Sequence, residues 1–117
     1  MIYLFIAIGG ALGAMARFGV GQMVSFPYAT LFVNVVGSFL MGIAFVYFMG
    51  RFGDRTAVMI MGGFLGAFTT FSAFSLDVLK LVDTGRMSAA IAYAGGSVIL
   101  SIIAVFAGVT VAKGLWT

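Results

Sequence analysis

The residues able to do chemistry are few, and they cluster. The stretch GAFTTFSAFS, residues 66–75, spaces Phe68, Phe71 and Phe74 three apart, with hydroxyls at Thr69, Thr70, Ser72 and Ser75 between them. Asn34 interrupts the apolar run TLFVNVVGSFLMG, Arg17 follows GGALGAMA, and Tyr93, Ser97 and Ser101 recur at four-residue spacing. Hydroxyls and an amide offer hydrogen-bond donors without charge, and the edge of an aromatic ring is electropositive. Donors and ring edges with no acid among them describe a path for a small anion better than one for a cation.

Other chemistries lack their residues. The chain has no Cys, His or Glu, and its only acids are Asp54, Asp77 and Asp83. That removes Cys redox chemistry and Cys/His metal sites, and it makes an acid-base pair for an enzyme hard to find. The net charge of +3 rests on so few ionisable groups that it gives no case for a nucleic-acid partner.

Hydrocarbon must hold these groups in place. With 63% hydrophobic and 8% charged residues, the 117-residue chain falls outside the range of soluble proteins and reads as a single membrane domain, 1–117. Four runs, at about residues 2–24, 28–49, 57–82 and 88–112, are long enough to cross roughly 30 Å of hydrocarbon as helices. They lack the alternation of barrel strands, so the fold class is an all-α membrane protein of four transmembrane helices. The first run has no basic segment before it and outlasts the apolar core of a signal peptide, so it is expected to remain in the mature protein.

Polar groups at membrane depth need partners or water. Asn34 reads either as an interhelical hydrogen bond or as a donor aimed at a passing anion. Arg17 reads either as snorkelling toward a helix end roughly 10 Å away or as a positive charge at the mouth of an aqueous vestibule. Tyr93, Ser97 and Ser101 stack on one helix face, either as a polar track or as hydroxyls bonded back to their own helix. Gly62, Gly63 and Gly66 weaken the third helix just before Thr69 and Thr70, which predicts a break near mid-membrane where freed carbonyls could hold a cation. Phe71 and Phe74 serve either packing or the anion path.

Charge gives no preferred orientation. With alternating links, Arg51, Arg55 and Lys113 fall on one side, and Lys80, Arg86 and a snorkelling Arg17 on the other. Without a clear Lys/Arg excess the chain either inserts both ways, which permits a two-fold dimer of opposed subunits, or takes one orientation from a small bias such as the N-terminal amine or Arg17 staying buried. Gly9 with Gly13, Ser38 with Gly42, and Gly62 with Gly66 repeat at four-residue spacing, suiting close helix approach within a subunit or between two.

GGALGAMARF, TLFVNVVGSF and GFLGAFTTFSAFS, in that order over the first three helices, resemble the Fluc-type fluoride channels. The resemblance spans nearly the whole chain. It implies a passive fluoride channel of the bacterial cytoplasmic (inner) membrane, assembled in lipid as an antiparallel, dual-topology homodimer with two pores and a structural sodium ion at its centre. It further implies that Phe71 and Phe74 are the pore phenylalanines and Asn34 the pore amide. Thr70 and Ser72 continue the hydroxyl motif, and Tyr93, Ser97 and Ser101 form the polar track. Gly66 and Thr69 would give backbone carbonyls to sodium, and Arg17 matches the arginine closing the first motif.

Three positions depart from the family pattern: Ala73 replaces a hydroxyl, Ala67 replaces a second glycine, and Asp77 stands where Glu is frequent. Two rivals remain. A small proton-coupled multidrug exporter needs a membrane carboxylate, and the first two helices contain no acid. A non-transporting scaffold explains the small-residue pairs but not the polar and aromatic set.

Overall fold

The computed structural model describes residues 1–116. Helix α1 covers Ile2–Met23 and α2 covers Tyr28–Tyr47. The third span is built in pieces: α3 (Arg55–Ala57), a π-helical stretch (Val58–Leu65), α4 (Gly66–Phe68), a two-residue gap, then α5 (Phe71–Asp83). Helix α6 runs over Met87–Trp116. The four spans are each long and apolar enough to cross a membrane, as the sequence predicts, and the third is interrupted where its glycines and threonines lie.

The break has a local cause. Thr69 and Thr70 adopt extended backbone, with φ −84°, ψ 154° and φ −154°, ψ 127°. Ending a helix leaves carbonyls without partners, and these threonines answer part of that need. The Leu65 carbonyl accepts from both Thr69 N (3.1 Å) and Thr69 Oγ1 (2.9 Å). Thr70 then caps α5, its Oγ1 accepting from Ala73 N at 3.1 Å.

Glycines set how closely the helices approach. Helix α1 lies on the π-helical stretch because a Cβ at Gly9 would collide with the Met59 carbonyl oxygen, and one at Gly13 with that of Phe64. Helix α2 crosses α6 in the same way: Gly42 faces the Val105 carbonyl, and Gly108 faces that of Phe39. The spacing of Gly9, Gly13 and Gly42 thus serves packing within the subunit. Gly62 and Gly66 differ, being exposed and touching no neighbouring helix.

Side chains are arranged for lipid. Leu12, Met15 and Phe18 of α1 and Ile99, Ile103 and Phe106 of α6 point outward, whereas Val33, Leu65, Phe74 and Leu81 are buried between helices. The links 48–54 and 84–86 are tight turns, closed at Gly50 (φ 82°) and Gly85 (φ 77°), conformations that a side chain would strain.

Candidate functional site

Asn34 is the residue that holds the break open. From α2 its Oδ1 accepts from Thr70 N at 2.8 Å, and its Nδ2 donates to Thr70 O at 3.0 Å. The amide thereby replaces the acceptor that the Thr70 N–H loses at the break and adds a donor to the carbonyl of Thr70, which caps α5. One Nδ2 hydrogen remains unused. Asn34 therefore makes the interhelical pair of the first reading, and it also lines a cavity with one donor to spare.

That cavity, about 320 Å³, lies among α2, the break, α5 and α6. Asn34, Ser38, Thr69 and Thr70 line it together with Phe71 and Phe74, and α6 closes it with Ser97, Val98, Ser101 and Ile102. None of these carries a charge. Phe71 is 75% exposed and stands 5.4 Å, centroid to centroid, from the buried Phe74 at an interplanar angle of 47°. Ser97 is buried, and its Oγ has no hydrogen-bond partner among the described residues. A buried hydroxyl without a partner is rare and is costly unless something visits it. A second cavity shares Ser38, Thr69 and Ser101 and extends past Met41 and Val105.

Three expected members lie elsewhere. Ser72 is exposed and pairs its Oγ with Thr70 Oγ1 at 3.2 Å, so it supports the cap of α5 and does not line the cavity. Tyr93 breaks the expected track: its hydroxyl donates to Asp77 Oδ2 at 3.0 Å, and it borders a neighbouring cavity with Arg86 that meets the first at Ser97. Its ring still packs on Phe74 at 5.4 Å. Arg17 does not snorkel away. It turns inward, and its Nε donates to the Ala67 carbonyl at 3.1 Å. Removing Arg17 from the far-side set leaves Lys80 and Arg86 there against Arg51, Arg55 and Lys113.

Two residues were missed. Ser38 lies four residues after Asn34 on α2, a spacing visible in the sequence but read there only as a small-residue pair. Asp77 is the buried partner of Tyr93, and its distance of three residues from Phe74 on α5 was the available signal. Among the described residues no cluster of three or more His, Cys, Asp or Glu could hold a metal ion.

Residues 4–109 match the family model of CrcB-like protein, Camphor Resistance (CrcB). The chain belongs to the CrcB-like family. Among CrcB-like relatives, a protein of Paracoccus denitrificans (strain Pd 1222) is 44% identical over 97% of this chain and 96% of its own length. One from Cereibacter sphaeroides (strain ATCC 17029 / ATH 2.4.9) is 49% identical over 95% and 94%. One from Saccharophagus degradans (strain 2-40 / ATCC 43961 / DSM 17024) is 43% identical over 98% and 92%. All three bear the name "Fluoride-specific ion channel FluC". Family and spans together make this chain a multi-pass integral membrane protein rather than an enzyme.

Proposed function

We propose that the protein is a passive, fluoride-selective channel of the bacterial inner membrane, letting fluoride leave the cytoplasm down its electrochemical gradient. The observation that carries this reading is the uncharged cavity in which Asn34, Ser38, Ser97 and Ser101 offer donors opposite Phe71 and Phe74. Relatives named fluoride-specific channels support the choice of anion.

The chemistry follows from the lining. A small anion leaving water needs hydrogen-bond donors to offset the lost hydration. The spare Asn34 N–H and the Ser97 hydroxyl can supply them, and the electropositive ring edges of the phenylalanines can continue the path where hydroxyls stop. Helix α5 begins at the cavity wall, which brings the positive end of its dipole to the same place. No acid lines this route to repel the ion. Fluoride's conjugate acid is neutral and crosses lipid, then ionises inside and is trapped. The negative-inside potential drives the anion out at about 2.3 kcal/mol per 100 mV, so a passive pore suffices.

The working unit in this reading is an antiparallel homodimer with two pores. The exposed Gly62, Gly66 and Phe71 support it, because they leave the break and the cavity mouth without an outer wall in one subunit. A structural sodium ion at the dimer centre fits the donor set. The Leu65, Ala67 and Thr70 carbonyls accept hydrogen bonds, whereas among the described residues no bond from outside the helices reaches those of Gly66 and Thr69. Two subunits would offer two such pairs of hard oxygen ligands.

Liposomes holding the purified protein test the reading. Fluoride efflux followed by an electrode, without accompanying chloride efflux, is the expected result. Intact dimers that release neither ion would return the scaffold reading.

A further inference from the structure

We infer that Arg17 is a positioning residue: through one hydrogen bond from Nε to the Ala67 carbonyl it docks the end of the first half of the third span, and it does not act as an anion-binding group in a vestibule. The packing of α1 carries the argument. Gly13 brings the α1 backbone against the Phe64 carbonyl, so one turn later Arg17 comes level with Ala67, three residues on from Phe64. Helix α4 ends at Phe68, which leaves Ala67 O among the carbonyls that lose their helical partner. Arg17 meets that need from one side, and Asn34 holds Thr70 from the other. The unwound residues are therefore pinned by two side chains from two different helices.

Location argues against a direct role in holding the anion. Arg17 borders a cavity of about 180 Å³ with Gln22, Thr30 and Ala73, and that cavity shares no lining residue with the one containing Phe71, Phe74 and Ser97. The charge of the guanidinium also lies at the negative end of a helical segment, where it is favourable without any ligand. The vestibule role expected of Arg17 thus gives way to a hold on the break.

Three substitutions separate hydrogen bond from charge. In Arg17→Gln the side-chain amide nitrogen lies the same number of bonds from Cα as Arg Nε, so the donor is kept and the charge removed. Arg17→Lys keeps the charge and moves its donor one bond farther, and Arg17→Met has neither. Two readouts are taken on full-length protein in lipid: amide hydrogen exchange at residues 67–71, and fluoride efflux.

The efflux readout rests on the channel reading, whereas the exchange readout does not. A wild-type protein that moves no fluoride would sink that reading and leave this test intact. Arg17→Met is expected to speed exchange and slow efflux, each by about tenfold, as loss of the partner to a part-buried carbonyl should. Arg17→Gln should recover at least half of both changes, and Arg17→Lys less. Recovery by Lys with failure of Gln would show that charge acts and overturn the proposal, as would unchanged exchange in Arg17→Met. If the Met variant does not fold, the contrast between Gln and Lys decides alone.

Discussion

Asn34 and Thr70 exchange two hydrogen bonds across the break, the side-chain amide of one matching the backbone N–H and C=O of the other at 2.8 and 3.0 Å. The residue that offers a donor to the cavity is thus also the residue that keeps the cavity's wall unwound. In the proposed channel, structure and transport would be coupled at this one side chain. Asn34→Ala leaves the Thr70 N–H without its acceptor, while the Thr70 carbonyl keeps its place as acceptor for the first turn of α5, so the loss should be about 1–3 kcal/mol where the N–H finds no water. Asn34→Asp keeps the acceptor for Thr70 N but removes the donor and places an acid in the anion's way. Thermal melts should rank Ala as no more stable than Asp, whereas fluoride efflux should fall at least about tenfold in the Asp variant.

Phe71 and Phe74 should separate function from stability. Phe71 is 75% exposed in the single subunit and Phe74 only 8%, although they are neighbours on one helix. Phe71→Ile should slow fluoride efflux with a change in subunit stability below about 1 kcal/mol, because little packing is lost. Phe74→Ala opens space against Tyr93 and should cost about 3–5 kcal/mol. Chemical denaturation in detergent, read beside efflux, checks both. Equal destabilisation by the two substitutions would contradict the burial seen here.

The Asp77–Tyr93 pair should behave as a unit. Tyr93 Oη donates to Asp77 Oδ2 at 3.0 Å with both residues buried, so removing either leaves the other without its partner. Tyr93→Phe and Asp77→Ala should each destabilise by about 1–3 kcal/mol, and the double variant should cost less than their sum. The cycle is measured by denaturant unfolding. Additive losses would show that the hydrogen bond carries no coupling.

Much of this was legible before any coordinates. Span number, the position of the break and the convergence of Asn34, Thr70, Phe71, Phe74, Ser97 and Ser101 follow from apolar run length, glycine placement and helical spacing. The failures share a physical cause. Helical periodicity places Tyr93 on the face of Ser97 and Ser101, but it cannot show that Asp77 on another helix captures its hydroxyl first. Both readings of Arg17, snorkelling to a helix end and a charge at a watery vestibule, assume that a lone charge in hydrocarbon must find water. The carbonyl that offsets this cost exists only because the third span is broken, fifty residues away in sequence. Ser38 escaped because a small residue four positions from Gly42 also satisfies a packing motif, and only the packed helices show which role it takes.

The glycines supply a last test, since those of similar spacing do different work. Gly13 has the Phe64 carbonyl where a Cβ would go, whereas Gly62 is exposed and faces no other helix of the subunit. Gly13→Leu must push α1 off the third span, and with it the Arg17 contact to Ala67. It should cost about 3 kcal/mol or more and reduce the yield of folded protein. Gly62→Leu finds open space within the subunit, so its helical content and melting should stay near wild type. In the dimer proposed above, it would obstruct close approach of a second copy along the exposed face. Light scattering in detergent should therefore show the Gly62 variant shifted toward monomer at protein concentrations where the wild type is dimeric. A Gly62 variant that remains fully dimeric would move the proposed interface away from this face, even if fluoride efflux from wild-type dimers is confirmed.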